Sequence, residues 1–383
     1  MNALVIAHVA SMIDHFNMPN IKLLLELGYS VNVACNFESG SSCDDAEINE
    51  LKLKLDDLGV TYTHIDFERS PFSFENFKAY KQLKEVLKDK HYDLVHCHTP
   101  MGGVLGRLAA KKYRKSGTKV IYTAHGFHFF KGAPLKNWLL YYPVEWLCAF
   151  WTDELITINK EDYARAQKHM HAKHVTYIPG VGVDLKKFSS DLYTEEDIKN
   201  TRAELGLTSD EKMLLSVGEL IPRKNHESVI HALAKLNNKK IKYFICGIGE
   251  LAEHLEKVVT DLGLAENVKF LGYRTDVSKL CDCADLFVFP SLQEGLPVAL
   301  MEAIASRTPV ICSNIRGNTD LVSGNALFEA ENISQISEKI NEYLSSDISE
   351  EVERNYANLK KFDIEKVVDE MKRLYSAGGG NLS

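Results

Sequence analysis

Short apolar runs recur along the first half of the chain, at Leu4–His8, Val31–Cys35, Tyr62–Phe67, Leu94–His98, Val120–Thr123, Leu155–Ile158 and Val175–Ile178. Helix-period patterns separate most of them, and strands alternating with helices predict a doubly wound parallel sheet that takes ligands at the carboxyl ends of its strands. A second alternation runs through Met213–Gly218, Tyr243–Cys246, Val268–Leu271, Leu286–Phe289 and Val310–Cys312. Between the two, Gly180–Phe188 and the charged Ser189–Lys199 break the rhythm and read as a connection. The pattern therefore predicts an α/β chain of two Rossmann-like domains, residues 1–185 and 186–363, with a cleft between them. A last helical pattern near Ile364–Tyr375 and a flexible tail at 377–383 complete residues 364–383.

A chain of 383 residues with 45% hydrophobic and 26% charged positions is long enough for two cores. Met1–His8 lacks a basic leader and reads as a first strand, and no apolar stretch has the roughly 18 to 20 residues of a membrane span. Eight cysteines, mostly inside apolar runs, suit reduced thiols in the cytoplasm. The net charge of −8 belongs to the C-terminal half: residues 1–184 hold 21 basic and 21 acidic side chains, the remainder 24 and 32. Residues 94–144 contain no acid, while Arg107, Lys111, Lys112, Arg114, Lys115, Lys119, Lys131 and Lys136 form a basic block that attracts anions. The acidic balance and the lack of a recognisable motif exclude nucleic acid as the main partner.

The most informative segment is Phe289-Pro-Ser-Leu-Gln-Glu-Gly-Leu-Pro-Val-Ala-Leu-Met-Glu302. A buried strand runs into a turn that holds Glu294, Pro297 takes the first helical position, and Glu302 follows within the helix. The amides of Gly295, Leu296 and Val298 point out of the helix start, where backbone donors and the helix dipole favour a diphosphate. The two carboxylates beside it suit hydroxyls, on a ribose and on a sugar. Taken alone, the two acids read rather as a dipole partner and a solvated glutamate, since acids are enriched in first turns.

Other strand ends carry candidate chemistry. Gly218-Glu-Leu-Ile-Pro-Arg-Lys-Asn225 puts Arg223 and Lys224 just after a strand, as phosphate ligands or as plain loop cations. Gly247-Ile-Gly249 permits close backbone approach, or makes a plain tight turn. Arg274 sits in the loop after Val268–Leu271. In the first half His96, His98, His125 and His128 crowd two strand ends; a zinc site that also used Cys97 is the weaker reading, since successive residues of a strand face opposite ways. In the first loop, His8–Phe16, Ser11, Asp14 and His15 could touch a ligand, Asp14 being equally a turn acid, and none is assigned a catalytic role; the G-x-G-x-x-G of a dinucleotide oxidoreductase is missing. Trp138–Trp151, aromatic and nearly uncharged, is either a core helix or a membrane-interface surface beside the basic block.

The run Glu294 to Glu302 with the following Ala303–Cys312 resembles the E-x7-E signature of the family 4 retaining glycosyltransferases, which adopt the GT-B fold, and the resemblance extends over nearly the whole chain. It implies transfer with retention of a hexosyl or N-acetylhexosaminyl group from a nucleotide sugar, UDP-linked, to a saccharide acceptor in exopolysaccharide or capsule assembly. It implies a lipid-linked or soluble acceptor, no cofactor and no metal ion, and a last helix that crosses back onto the first domain; a polyprenyl-diphosphate-linked acceptor and peripheral contact with the inner face of an anionic membrane go with the interface reading of Trp138–Trp151. By this resemblance Lys224 matches the phosphate-binding lysine of G-R-x-x-x-x-K, while Glu219 stands where the arginine belongs, and Arg223 is a replacement that does not match the pattern. His125, in a Thr-x-His pattern, contacts the reacting sugar, Glu294 holds the donor sugar, Glu302 the ribose, and the loops of Gly247 and Arg274 lie on the nucleotide side. The glycine pair common after the first strand is missing. A GT-B sugar-nucleotide epimerase and a non-catalytic nucleotide-sugar binding protein remain as alternatives.

Overall fold

In the computed structural model, which describes residues 1–39, 43–189, 191–322 and 324–376, the apolar runs become strands of two parallel sheets. The first contains β1 (Asn2–Val9), β2 (Ser30–Asn36), β3 (Thr61–His64), β4 (Leu94–His98), β5 (Lys119–Ala124), β6 (Glu154–Thr157) and β7 (His174–Tyr177), in the order β3-β2-β1-β4-β5-β6-β7. Its faces are covered by helices α1 (Ala10–Phe16), α2 (Met18–Glu26) and α3 (Asp45–Asp57) on one side. On the other lie α4 (Glu75–Asp89), α5 (Pro100–Ala110), α6 (Leu135–Ala149) and α7 (Lys160–His169). Strands buried on both faces need no alternation, so β1 and β4 read as continuous apolar runs.

The second sheet, β8 (Lys212–Val217), β9 (Ile241–Cys246), β10 (Val268–Gly272), β11 (Leu286–Phe289), β12 (Val310–Ser313) and β13 (Leu327–Phe328), has the order β10-β9-β8-β11-β12-β13. Helices α8 (Glu195–Glu204), α9 (His226–Leu236), α10 (Ala252–Asp261), α11 (Val277–Cys283), α12 (Val298–Ala305), α13 (Asn318–Leu321), α14 (Ile333–Ser345) and α15 (Ser349–Leu359) accompany it. Part of the segment read as a connection is helical. Thr194 and Asp197 form a reciprocal capping box that starts α8.

The chain divides into Met1–Val181 with Lys366–Ser383, and Gly182–Glu365. The return is made by α16 (Ile364–Ser376), whose Val367, Met371 and Tyr375 join the core beside α1 and α2. The segment 377–383, read as a tail, lies outside the described residues. No described helix is long and apolar enough to cross a membrane.

Candidate active site

In the second unit, β11 ends at Phe289 and the chain turns through Ser291–Leu296 before α12 begins. Pro297 is the N-cap residue, one place earlier than the pattern predicts, and Val298 opens the helix. The N–H groups of Gly295, Leu296 and Val298 find no acceptor among the described residues, which leaves donors and the positive end of a helix dipole at this point.

Glu294 is buried, and both predicted cations meet it. Lys224 Nζ lies 2.7 Å and Arg223 Nη1 3.0 Å from its Oε1. Burial pushes the Glu294 carboxyl up, but Lys224 and Arg223 outweigh that and hold it below its ordinary range. Without a ligand the acid thus neutralises the cations; a diphosphate arriving there would take over that charge and release the carboxylate to accept from hydroxyls. The turn is fixed from several sides. Arg223 donates to Gln293 O at 2.9 Å, and buried Arg316 donates from Nε to Glu294 O at 3.2 Å. Gly317, at φ 80°, lies so close that a Cβ there would sit 2.5 Å from Gly295 O.

One and a half turns into α12, half-buried Glu302 has its carboxyl pushed up to about 7 by burial, with Lys187 pulling the other way. Gly247 and Gly249 answer to packing. Cβ atoms there would lie 1.9 Å from Gly218 O and 2.5 Å from Leu220 O, so the approach they permit is that of the β8 loop carrying Glu219. Arg274 is engaged locally, its Nε donating to Asp276 at 2.8 Å.

In the first unit the histidines separate into core and cavity. His96 is fully buried, with Nδ1 2.8 Å from Tyr375 Oη and Nε2 2.8 Å from Thr123 Oγ1, which ties α16 to the sheet. His125 Nε2 lies 3.1 Å from His98 Nδ1, and both line a cavity of about 30 Å³ with Phe16, Asn20 and Met371. Burial lowers His125 to about 4, so the ring is neutral at physiological pH. Cys97 packs on the opposite face, against the side of Gly106. Among the described residues no three His, Cys, Asp or Glu side chains are grouped as ligands of a metal ion would be. The expected loop at His8–Phe16 is mostly α1, which leaves β1 directly, and its Asp14 pairs with Lys54 of α3 at 3.2 Å.

Comparison with known proteins gives these side chains a context. Residues 197–361 match the family described as glycosyl transferases group 1, and residues 6–159 the glycosyl transferase 4-like family. The putative glycosyltransferase EpsD of Bacillus subtilis is 39% identical over 311 residues, 80% of this chain and 77% of that protein. The chain belongs to the family 4 glycosyltransferases. Another relative of these family 4 enzymes, 30% identical over 97% of this chain and 96% of its own length, is the UDP-Gal:alpha-D-GlcNAc-diphosphoundecaprenol alpha-1,3-galactosyltransferase of Escherichia coli. Among solved structures, Anabaena Alr3699/HepE in complex with UDP and glucose superposes with a TM-score of 0.77 at 18% identity, covering 98% of this chain and all of that one. WaaG, a glycosyltransferase involved in lipopolysaccharide biosynthesis, gives 0.70 at 18% over 98% and 99%. These likenesses assign the GT-B fold.

As a family 4 glycosyltransferase the chain is a transferase, which sets aside the epimerase and the binding protein. The second unit brings Arg223, Lys224, Glu294 and the start of α12 together; Gly247 packs against the β8 loop and Arg274 is engaged within its own loop. Sequence reasoning passed over Arg316 and Gly317. Their only signal was an arginine–glycine pair just after an apolar strand. It also passed over His98 as the partner of His125, because adjacency across β4 and β5 is a property of strand order.

Proposed function

We propose that this glycosyltransferase moves a hexosyl group, with retention, from a UDP-sugar to a hydroxyl of a polyprenyl-diphosphate-linked saccharide during polysaccharide assembly. The observation that carries this reading is the convergence of Lys224 and Arg223 on Glu294 at the start of α12. Those cations and the amides of Gly295, Leu296 and Val298 hold the diphosphate, Glu294 takes the sugar hydroxyls, and Glu302 the ribose. His125, neutral, contacts the sugar as positive charge develops at its anomeric carbon, where a cationic ring would oppose the reaction. The leaving diphosphate is stabilised by side chains and helix dipole, so the reaction needs no metal ion. The relative named for UDP-Gal and a diphosphoundecaprenol acceptor supports both substrates, and the HepE structure with UDP supports the nucleotide.

The acceptor reading places the enzyme at an anionic membrane. Helix α6 supports this, because apolar side chains lie on every side of it and yet half of it faces outward. Trp138, Tyr141 and Tyr142 pack inward, whereas Leu135 is 73% and Leu139 68% exposed, with Leu140, Val144, Trp146 and Leu147 also exposed. Seven of the eight cysteines are buried and no disulfide forms among the described residues, which supports the cytoplasmic face. The test is an assay of UDP-sugars against polyprenyl-diphosphate N-acetylglucosamine, with and without EDTA. Extension of the lipid-linked sugar with unchanged anomeric configuration, undiminished by EDTA, is expected; release of UDP without acceptor extension under every pairing overturns the reading.

A further inference from the structure

In the family pattern an arginine and a lysine flank four residues after β8, and here the arginine position holds Glu219. A carboxylate beside a diphosphate repels it, so the substitution alone would leave the clamp with a single cation opposed by an acid. The local backbone offers a compensation. Pro222–Lys224 form one 3₁₀ turn, begun by the fixed φ of Pro222 and ended by Asn225 in the left-handed region at φ 56°. That turn sends two consecutive side chains to the same oxygen of Glu294. Consecutive residues of an extended strand would point to opposite sides. Arg223 also leans back toward the substituted position: its Nη2 lies 3.8 Å from Glu219 Oε2, four residues earlier, while its Nη1 is held by Gln293 O at 2.9 Å. The guanidinium thus spans the β8 loop and the Glu294 turn, and its planar fork can serve Glu219 on one edge and a phosphate on the other.

We propose that the arginine of the diphosphate clamp has changed places with an acid along the chain: Arg223 supplies the phosphate contact that the family pattern assigns to position 219, and Glu219 is the positioning residue that holds it. The proposal rests on the reading of Lys224 and Glu294 as the donor site. If it is right, the charges are transposable, because a guanidinium at 219 paired with a carboxylate at 223 rebuilds the same clamp.

Calorimetric titration of the full chain with UDP tests this in four variants, each checked for an unchanged thermal unfolding transition. Lys224→Ala and Arg223→Ala are expected to weaken UDP binding by about tenfold each, the value of a charge-assisted contact. Arg223→Glu is expected to weaken it more, and Glu219→Arg with Arg223→Glu to return affinity to within about fivefold of the starting protein. Recovery by transposition is a result that a packing role for either residue cannot produce. If Lys224→Ala weakens binding while Arg223→Ala does not, or if the transposed chain binds no better than Arg223→Glu, the relocation is wrong and the donor site stands. If Lys224→Ala also leaves UDP binding unchanged, the donor-site reading itself falls.

Discussion

At the scale of single residues, the two glutamates of the E-x7-E segment differ in ionisation although eight positions and one helix start separate them. Glu294 is held ionised by Lys224 and Arg223 against the cost of burial, while Glu302, with only Lys187 acting on it, is pushed up to about 7. On the proposal that Glu302 holds the ribose, a carboxylate accepts its hydroxyls better than a carboxylic acid does, so UDP binding should select the ionised form of Glu302. The sign follows: as pH falls from 8 through 7 to 6, a growing fraction of the unliganded protein carries a proton that must leave on binding, and affinity falls, approaching tenfold per pH unit below the pKa. The same raised value makes the fold more tolerant of acid at this site, since the protonated form is the one burial prefers and its stabilising share is lost as pH rises toward 7. Glu302→Gln removes the proton. Calorimetry of UDP binding between pH 6 and 8 should show a steep dependence in the unaltered chain and a shallower one, with weaker binding at pH 8, in Glu302→Gln. The ionisation of UDP itself is common to both proteins, so equal slopes would contradict the assignment.

At the scale of elements, α6 is fastened at its core face by a polar contact that hydrophobic patterning does not reveal. Glu145 accepts from Arg107 Nη2 at 2.8 Å and from Tyr122 Oη at 3.2 Å, and the guanidinium lies 3.8 Å over the Tyr122 ring. Arg107 is fully buried, so it does not belong to the basic surface where its neighbours in sequence place it. Replacing Glu145 by Gln leaves that cation uncompensated at a cost of about 3 to 5 kcal/mol, which should lower the first thermal transition by roughly 10 °C. Arg107→Met with Glu145→Leu together should cost less than the single change; a single variant that unfolds within 2 °C or so of the unaltered chain would show the pair to be dispensable. The same elements show what was legible. The apolar runs marked every strand but β13, because the inner strands of a parallel sheet are buried on both faces and carry nearly continuous apolar sequence, while the partly exposed edge strands β3 and β7 are marked by aromatic and β-branched residues; Leu327–Phe328 is only two residues and has no period to read. The meeting of Lys224 with Glu294 was legible since each follows closely on a strand end. Arg316, Gly317 and the closure of Gly247 onto Gly218 were not, since they depend on which strands lie side by side. The outward half of α6 was hidden because a helix with apolar side chains on every side has no periodicity to show which side meets solvent.

At the scale of the whole molecule, charge and apolar surface are arranged by strand direction. The helices of a parallel α/β unit run opposite to its strands, so α4 and α6 both begin at the carboxyl edge of the first sheet, the edge that takes ligands. Phe72, Phe74 and Phe77, the second of them 94% exposed, stand where α4 begins, and exposed Leu135 and Leu139 stand where α6 begins. Lys131 and Lys136 are exposed beside that end, and Lys111, Lys112 and Lys115 are exposed near the other, where Lys111 lies 4.5 Å over the Trp151 ring. Arg114 and Lys119, counted with them in sequence, are engaged instead by Asp153 and by Leu374 O. An aromatic and aliphatic surface bordered by lysines fits an anionic bilayer, since apolar burial supplies binding that salt does not screen and each lysine adds about 1 kcal/mol that it does. Sedimentation with phosphatidylglycerol-rich vesicles should therefore carry the enzyme down, with binding weakened but not abolished at high salt. Leu139→Glu with Leu147→Glu should remove the salt-resistant part. Lys111→Glu, Lys112→Glu and Lys115→Glu together should cost a hundredfold or so at low salt and leave the high-salt residue nearly unchanged. UDP binding, which the proposed donor site assigns to the second unit, should be the same in all of these proteins. If the unaltered enzyme stays in the supernatant at low salt, or if the two leucine changes leave sedimentation as it was, α6 is not the surface that meets lipid.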